Sequence, residues 1–367
     1  MRKPLLLLLF SFLCLQSLRA QVQDSSYRFY MKFAGHGSDL ESVAFSFDGK
    51  MFASGGWDNR ILVYGADTPN FGQKLFTLEG HYAGISCVAF SRDGKMLASA
   101  SRDFSVKIWD LSNGSLITTL SQHTDVVNRV YFDQAGKNVL TCSNDGTIQI
   151  LDIARIAKPK VLKIGGQVNG FVQSPDRKSF YVATNGAEIL QVDPTGKVIR
   201  KLSGHSDAVN QIELTPDRKF LVSCSNDKTA IIWDIANAKP LRKCNGHNWK
   251  VTGFSISSDS RYLLTGCNDG EAIVWDMATA KALATLKGMG TNVRSVAFAP
   301  NLTRVLLASY MQVSDYGALM YSTPLIRAPK PGTPAKPAAG PAKPAAPAKP
   351  GVTPAKPSAA ANPVKRP

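Results

Sequence analysis

Apolar and polar residues alternate along most of the chain in short runs, at a period that suits strands and not helices. Within residues 85–120 the runs read "ISCVAFS", "KMLASAS", "SVKIWDL" and "SLITTL". A two-residue alternation of this kind predicts half-buried strands. "RDGK", "SRDF" and "LSNG" separate them, and their Gly, Asp, Asn and Ser favour tight turns. Four short strands joined by tight turns are therefore expected here.

The same pattern recurs. "GHYAGISCVAFSRDGKMLASASRDFSVKIWD" (80–110) aligns without a gap on "GHSDAVNQIELTPDRKFLVSCSNDKTAIIWD" (204–234). Residues 35–65, 122–152 and 246–276 fit the same frame, and 168–192 and 293–321 are weaker copies. That makes seven units of about 41 to 45 residues each. Four-stranded units at this spacing predict propeller blades. The seventh unit supplies three strands and ends near "GALMYST", while "YRFYMKFAG" (27–35) is a strand with no unit of its own. If that N-terminal strand pairs into the last blade, the ring closes and no sheet edge stays open.

The "GH…WD" units resemble WD-repeat β-propellers over about 300 of the 367 residues. The resemblance implies an all-β, seven-bladed WD-repeat β-propeller, closed by its N-terminal strand. It also implies a platform for protein partners.

"SCSNDKTAIIWD" (223–234), with His205 upstream, offers the side chains of a hydrolytic triad: His205, Ser223 and Asp227. The repeat weighs against that chemistry, because the set recurs at fixed intervals. The second unit has His81, Ser99, Asp103 and Trp109, and the fifth has His205, Ser223, Asp227 and Trp233. The sixth has His247, Thr265, Asp269 and Trp275. The first has His36, Ser54, Asp58 and Tyr64, and the third has His123, Thr141 and Asp145, followed by Leu151. In WD-repeat proteins the matching residues form a structural network, with Asp bonded to His, His to the hydroxyl, and the hydroxyl to the indole. The five sets use all five histidines of the chain. None is then left for a metal site or a general base. No Gly-rich phosphate loop and no H-E-x-x-H occurs. A non-enzyme without metal or cofactor is expected. Ile164, Val182 and Gly186 replace the set in the fourth unit, and Met289, Leu307 and Met311 in the seventh. Those two blades should rest on apolar packing alone.

By resemblance, one face of the disc carries the residue before each turn aspartate and the residues that flank the start of each first strand. The former are Trp57, Arg102, Asn144, Asn185, Asn226, Asn268 and Tyr310. The latter include Asp39, Glu41, Asn128, Asn169, Asn210, Trp249, Lys250 and Arg294. Trp, Tyr and Arg anchor protein interfaces. We therefore expect a protein or peptide partner on Trp57, Arg102, Trp249, Lys250, Arg294, Tyr310 and the asparagines. Two readings of the asparagines stay open, because Asn before Asp also suits a tight turn. A propeller enzyme using carboxylates near the channel is an alternative, with Asp39 and Glu41 as its one hint. Recognition of a glycan or small polar ligand is another.

Composition changes the picture at the two ends. "MRKPLLLLLFSFLCLQSLRA" reads as a signal peptide over 1–20, cleaved near Ala20–Gln21. An uncleaved anchor is the competing reading. Lipid attachment at Cys14 is disfavoured, because Leu13 precedes it where a small residue would be expected. Residues 327–367 hold twelve prolines and four "AKP" repeats. Such a tail cannot build a core and favours extended, disordered chain. It is either a solvated spacer or a basic arm touching an anionic envelope surface. The net charge of +16 comes largely from these ends: three of the 43 Lys+Arg lie in the first and eight in the second, and neither has an acid. The 32 that remain face 27 Asp+Glu. A fold so mildly basic argues against a nucleic-acid partner. Five cysteines lie beyond residue 20, with no C-x-x-C, and read mostly as small buried residues. The domains expected are the signal peptide (1–20), a monomeric propeller (26–326) and the tail (327–367), in a periplasmic or secreted protein.

Overall fold

The computed structural model describes residues 27–154, 159–287, 292–310 and 316–325. The signal segment, the tail, Met289 and Met311 lie outside them, as does the side chain of Tyr310. No described helix is long and apolar enough to cross a membrane.

The strands form seven antiparallel sheets of four. Six are consecutive in sequence. Blade two, for example, pairs Ile85–Phe90, Met96–Ser101, Val106–Asp110 and Ser115–Leu120 in that order. Blade seven is composite. Asn292–Phe298, Arg304–Tyr310 and Tyr316–Ser322 are followed by the N-terminal strand Arg28–His36, which pairs antiparallel with Tyr316–Ser322. The first strand of the chain thus completes the last blade.

Burial explains the sequence pattern. Third strands such as Ile61–Gly65 are buried at every residue, so they read as continuous apolar runs. Fourth strands such as Ser115–Leu120 are mostly exposed. The core is not central but lies between blades. Ala53, Ile61 and Val63 of blade one pack on Ile85, Val88 and Leu97 of blade two. Seven such clusters mark seven interfaces, and the seam of blades seven and one has its own in Phe33, Leu40, Phe52, Leu306 and Met320. Each fully buried side chain of this size stabilises the ring by about 1.5–3 kcal/mol. The five described cysteines are buried free thiols.

Candidate functional site

A repeated irregularity builds the site. In all seven first strands the register slips near its start. In blade one Leu40 faces Gly56 but Ser42 faces Gly55, so Glu41 has no partner across the ladder. A bulge of this kind re-aims the extra side chain. The skipped residues are Glu41, Ser86, Asn128, Asn169, Asn210, Thr252 and Arg294. All seven line one polar cleft of about 360 Å³.

Five of them latch their blade to the next. Asn128, Asn169 and Asn210 donate Nδ2–H to the carbonyls of Val168, Val209 and Val251 at 2.8, 2.9 and 2.8 Å. Ser86 and Thr252 donate likewise to Val127 and Val293. Blades one and seven use charge instead: Glu41 lies 3.0 Å from Arg102 and 3.5 Å from Arg294.

The same amides reach the residues before the turn aspartates. Asn128, Asn169 and Asn210 donate to the Oδ1 atoms of Asn144, Asn185 and Asn226 at 2.8, 3.0 and 3.0 Å. Sequence reading left these asparagines between turn chemistry and partner contact. The structure gives them a third use, since their acceptor oxygens are engaged within the rim. Asn268 lines the cleft with a buried Oδ1 that has no hydrogen-bond partner.

The aromatic and basic residues stand around this rim. Trp57 and Trp249 are 41% and 59% exposed. The Arg102 guanidinium lies over the Trp57 ring, 4.3 Å from its centroid. Among the described residues lining the cleft, Arg102, Arg129, Lys250 and Arg294 face one carboxylate, Glu41. Deeper lies a group that the sequence reading did not single out. Arg129 Nη2 donates to Gln211 Oε1 at 3.3 Å, and Gln211 Nε2 donates to Glu213 Oε1 at 2.9 Å. Burial pushes the Glu213 carboxyl up, against the pull of Gln211 and Arg129. Their alternation along first strands was the available signal.

Away from the cleft stand the histidine sets. In blade two the Trp109 indole donates to Ser99 Oγ at 2.9 Å. Ser99 Oγ meets His81 Nε2 at 2.7 Å, and His81 Nδ1 meets Asp103 at 2.8 Å. One direction of donation, from indole to hydroxyl to imidazole to carboxylate, satisfies every atom. Blade five repeats it, with Trp233–Ser223 at 2.7, Ser223–His205 at 2.7 and His205–Asp227 at 2.9 Å. In blade three His123 joins Thr141 at 2.8 and Asp145 at 2.7 Å.

Two sets depart from the pattern. His36 joins Ser54 and Asp58, both at 2.9 Å, but Tyr64 does not reach Ser54. Its hydroxyl sits at the far end of the ring and donates to Ala34 O at 2.9 Å, while the ring stacks on Phe52. In blade six His247 Nε2 and Trp275 Nε1 both meet Thr265 Oγ1, at 2.6 and 2.8 Å, but His247 Nδ1 has no hydrogen-bond partner. Burial pushes that imidazole down to about 4. In blade four Ile164 and Val182 pack in an apolar cluster. That blade is not held by apolar packing alone, because Asn169 donates to Val209 O and Arg200 to Ile235 O of the next blade, at 2.9 and 2.7 Å. In blade seven Leu307 is fully buried.

Five segments match one family model, described as the WD domain, G-beta repeat: residues 27–65, 72–110, 114–152, 196–234 and 238–276. Each spans one outer strand and the first three strands of the blade that follows, and each ends in a blade that holds a histidine set. No curated protein matches the chain.

Proposed function

The chain belongs to the WD40-repeat family, and on that premise we propose a non-catalytic scaffold that binds a protein or peptide partner on the face carrying the polar cleft. WD40 propellers commonly serve as protein-interaction platforms. The observation that carries the reading is the cleft's composition: four cations against Glu41, with Trp57 and Trp249 exposed beside them. A positive, partly desolvated depression rimmed by aromatics attracts an acidic segment and offers it anchors. We therefore assign the partner an Asp/Glu-bearing or C-terminal carboxylate segment.

A displayed random-peptide library panned on the folded chain tests this. Recovered peptides should be enriched in Asp and Glu, and Lys250→Glu should weaken them about tenfold at low salt and less at high salt. Enrichment of neutral or basic peptides would overturn the assignment.

Export to the periplasm or outside the cell rests on the basic start, the apolar run and the small residue at Ala20. The mature protein recovered outside the cytoplasm should begin at Gln21. An intact Met1 there would count against cleavage.

A further inference from the structure

In blades two, three and five the turn aspartate is held by two hydroxyl residues. Ser105, Thr147 and Thr229 donate to its Oδ1 at 2.6, 2.7 and 2.6 Å. Ser101, Ser143 and Ser225 accept its backbone N–H at 3.1, 3.0 and 3.0 Å. The carboxylate is thereby locked against the histidine. Blade six has neither hydroxyl, and neither has blade one, where Gly56 and Arg60 flank Asp58 and the carboxylate still meets His36 Nδ1 at 2.9 Å. Glu271 stands at the first position and Cys267 at the second. Glu271 turns away to Lys287, 2.8 Å distant.

In blade six the contact from histidine to aspartate is open as well. His247 is 7% exposed, and its Nδ1 has no hydrogen-bond partner. The other four histidines bring Nδ1 to an aspartate at 2.7–2.9 Å. What remains in blade six is a triangle. One ring nitrogen of His247, Cys267 Sγ and one Asp269 carboxylate oxygen all lie within 4.8 Å of one another. Cys267 is fully buried, and Asp269 is partly exposed and gives access from solvent.

We propose that this triangle is a binding site for a divalent cation of the zinc class, with His247 Nδ1, Cys267 Sγ and an Asp269 oxygen as ligands and a fourth position open to water. The donor set is nitrogen, sulfur and oxygen, which zinc takes and calcium or magnesium do not. The thiol gives up its proton to solvent as the Zn–S bond forms, so two anionic ligands balance the ion. Tetrahedral zinc needs ligand atoms about 3.5 Å apart, so a pair at the 4.8 Å limit must close by about 1.3 Å. Asp269, the partly exposed one of the three, is the ligand placed to move. His247 stays anchored through Nε2 to Thr265.

Chelator-stripped full-length chain titrated with Zn²⁺ should take up one ion, retained on desalting, and with Co²⁺ it should show thiolate-to-cobalt absorption. Cys267→Ser restores the residue of the three locked blades. It should keep the melting temperature of the stripped chain and lose both signals. Asp269→Asn should lose the retained zinc as well. Equal zinc uptake by Cys267→Ser would overturn the site. So would a cobalt spectrum of the unaltered chain without a thiolate band, whatever the variants do.

Discussion

Asp227→Ala should lower the melting temperature by about 5–10 °C, against about 1 °C or less for Glu188→Ala. The Asp227 side chain is 2% exposed. Its carboxylate accepts from His205 Nδ1 at 2.9 Å, the Ser206 N–H at 3.1 Å, the Thr229 N–H at 3.0 Å and the Thr229 hydroxyl at 2.6 Å. Truncation leaves several donors without an acceptor, and each buried one costs about 1–3 kcal/mol. Water at the Ser206 side relieves part of that cost. Glu188 is 39% exposed and meets Lys201 and Ser203 at the surface. Equal shifts for the two variants would remove the structural role from the histidine sets. The difference should also depend on pH. Burial opposes ionisation of Asp227, but His205, Thr229 and the Ser206 N–H outweigh it and hold the carboxyl below its ordinary 3.8. A carboxylate lowered on folding stabilises above its unfolded value and loses that contribution as pH falls through its folded one. Urea midpoints of the wild type and Asp227→Ala should therefore converge below about pH 4.

The histidine sets were legible because repetition made them so. An interval of 18, 22 and 28 residues that recurs from blade to blade reports a shared geometry even when no contact is visible. The closing strand was legible for the opposite reason: Arg28–His36 was a strand left without a blade. The latches were not legible. Asn128 and Asn210 bond backbone carbonyls 40 and 41 residues away, and a carbonyl has no side chain to mark it. The bulge that aims them costs one ladder pairing and leaves no residue type behind, since Glu, Ser, Asn, Thr and Arg all occupy it. Tyr64 takes the indole position without its bond, because an aromatic ring there packs alike, whereas the hydrogen bond depends on where the polar atom sits. Blade six did carry a signal, in Cys267 and Glu271 at positions where the locked blades have hydroxyls. Reading that departure required knowing what the hydroxyls do.

Trp57→Ala with Trp249→Ala should together weaken the partner about thirtyfold or more while leaving the fold nearly as stable. Neither ring belongs to a histidine set. The backbone of Trp57 is placed by its own N–H, which donates to Asp39 O at 2.8 Å, so the turn does not require the indole. The ring instead supports Arg102, whose guanidinium bridges to Glu41. Its loss removes apolar contact area and loosens the cation that an acidic segment would meet. Trp249 contributes its carbonyl to Cys267 and is the more exposed of the two rings. The double variant should lose less than the sum of the two single truncations if both rings clamp one segment, because removing either lets the segment lift from the other. Titration of the library-selected acidic peptides against the four proteins of this cycle reads both quantities. Unchanged affinity in the double variant would detach the aromatic rim from binding and leave charge alone to hold the partner.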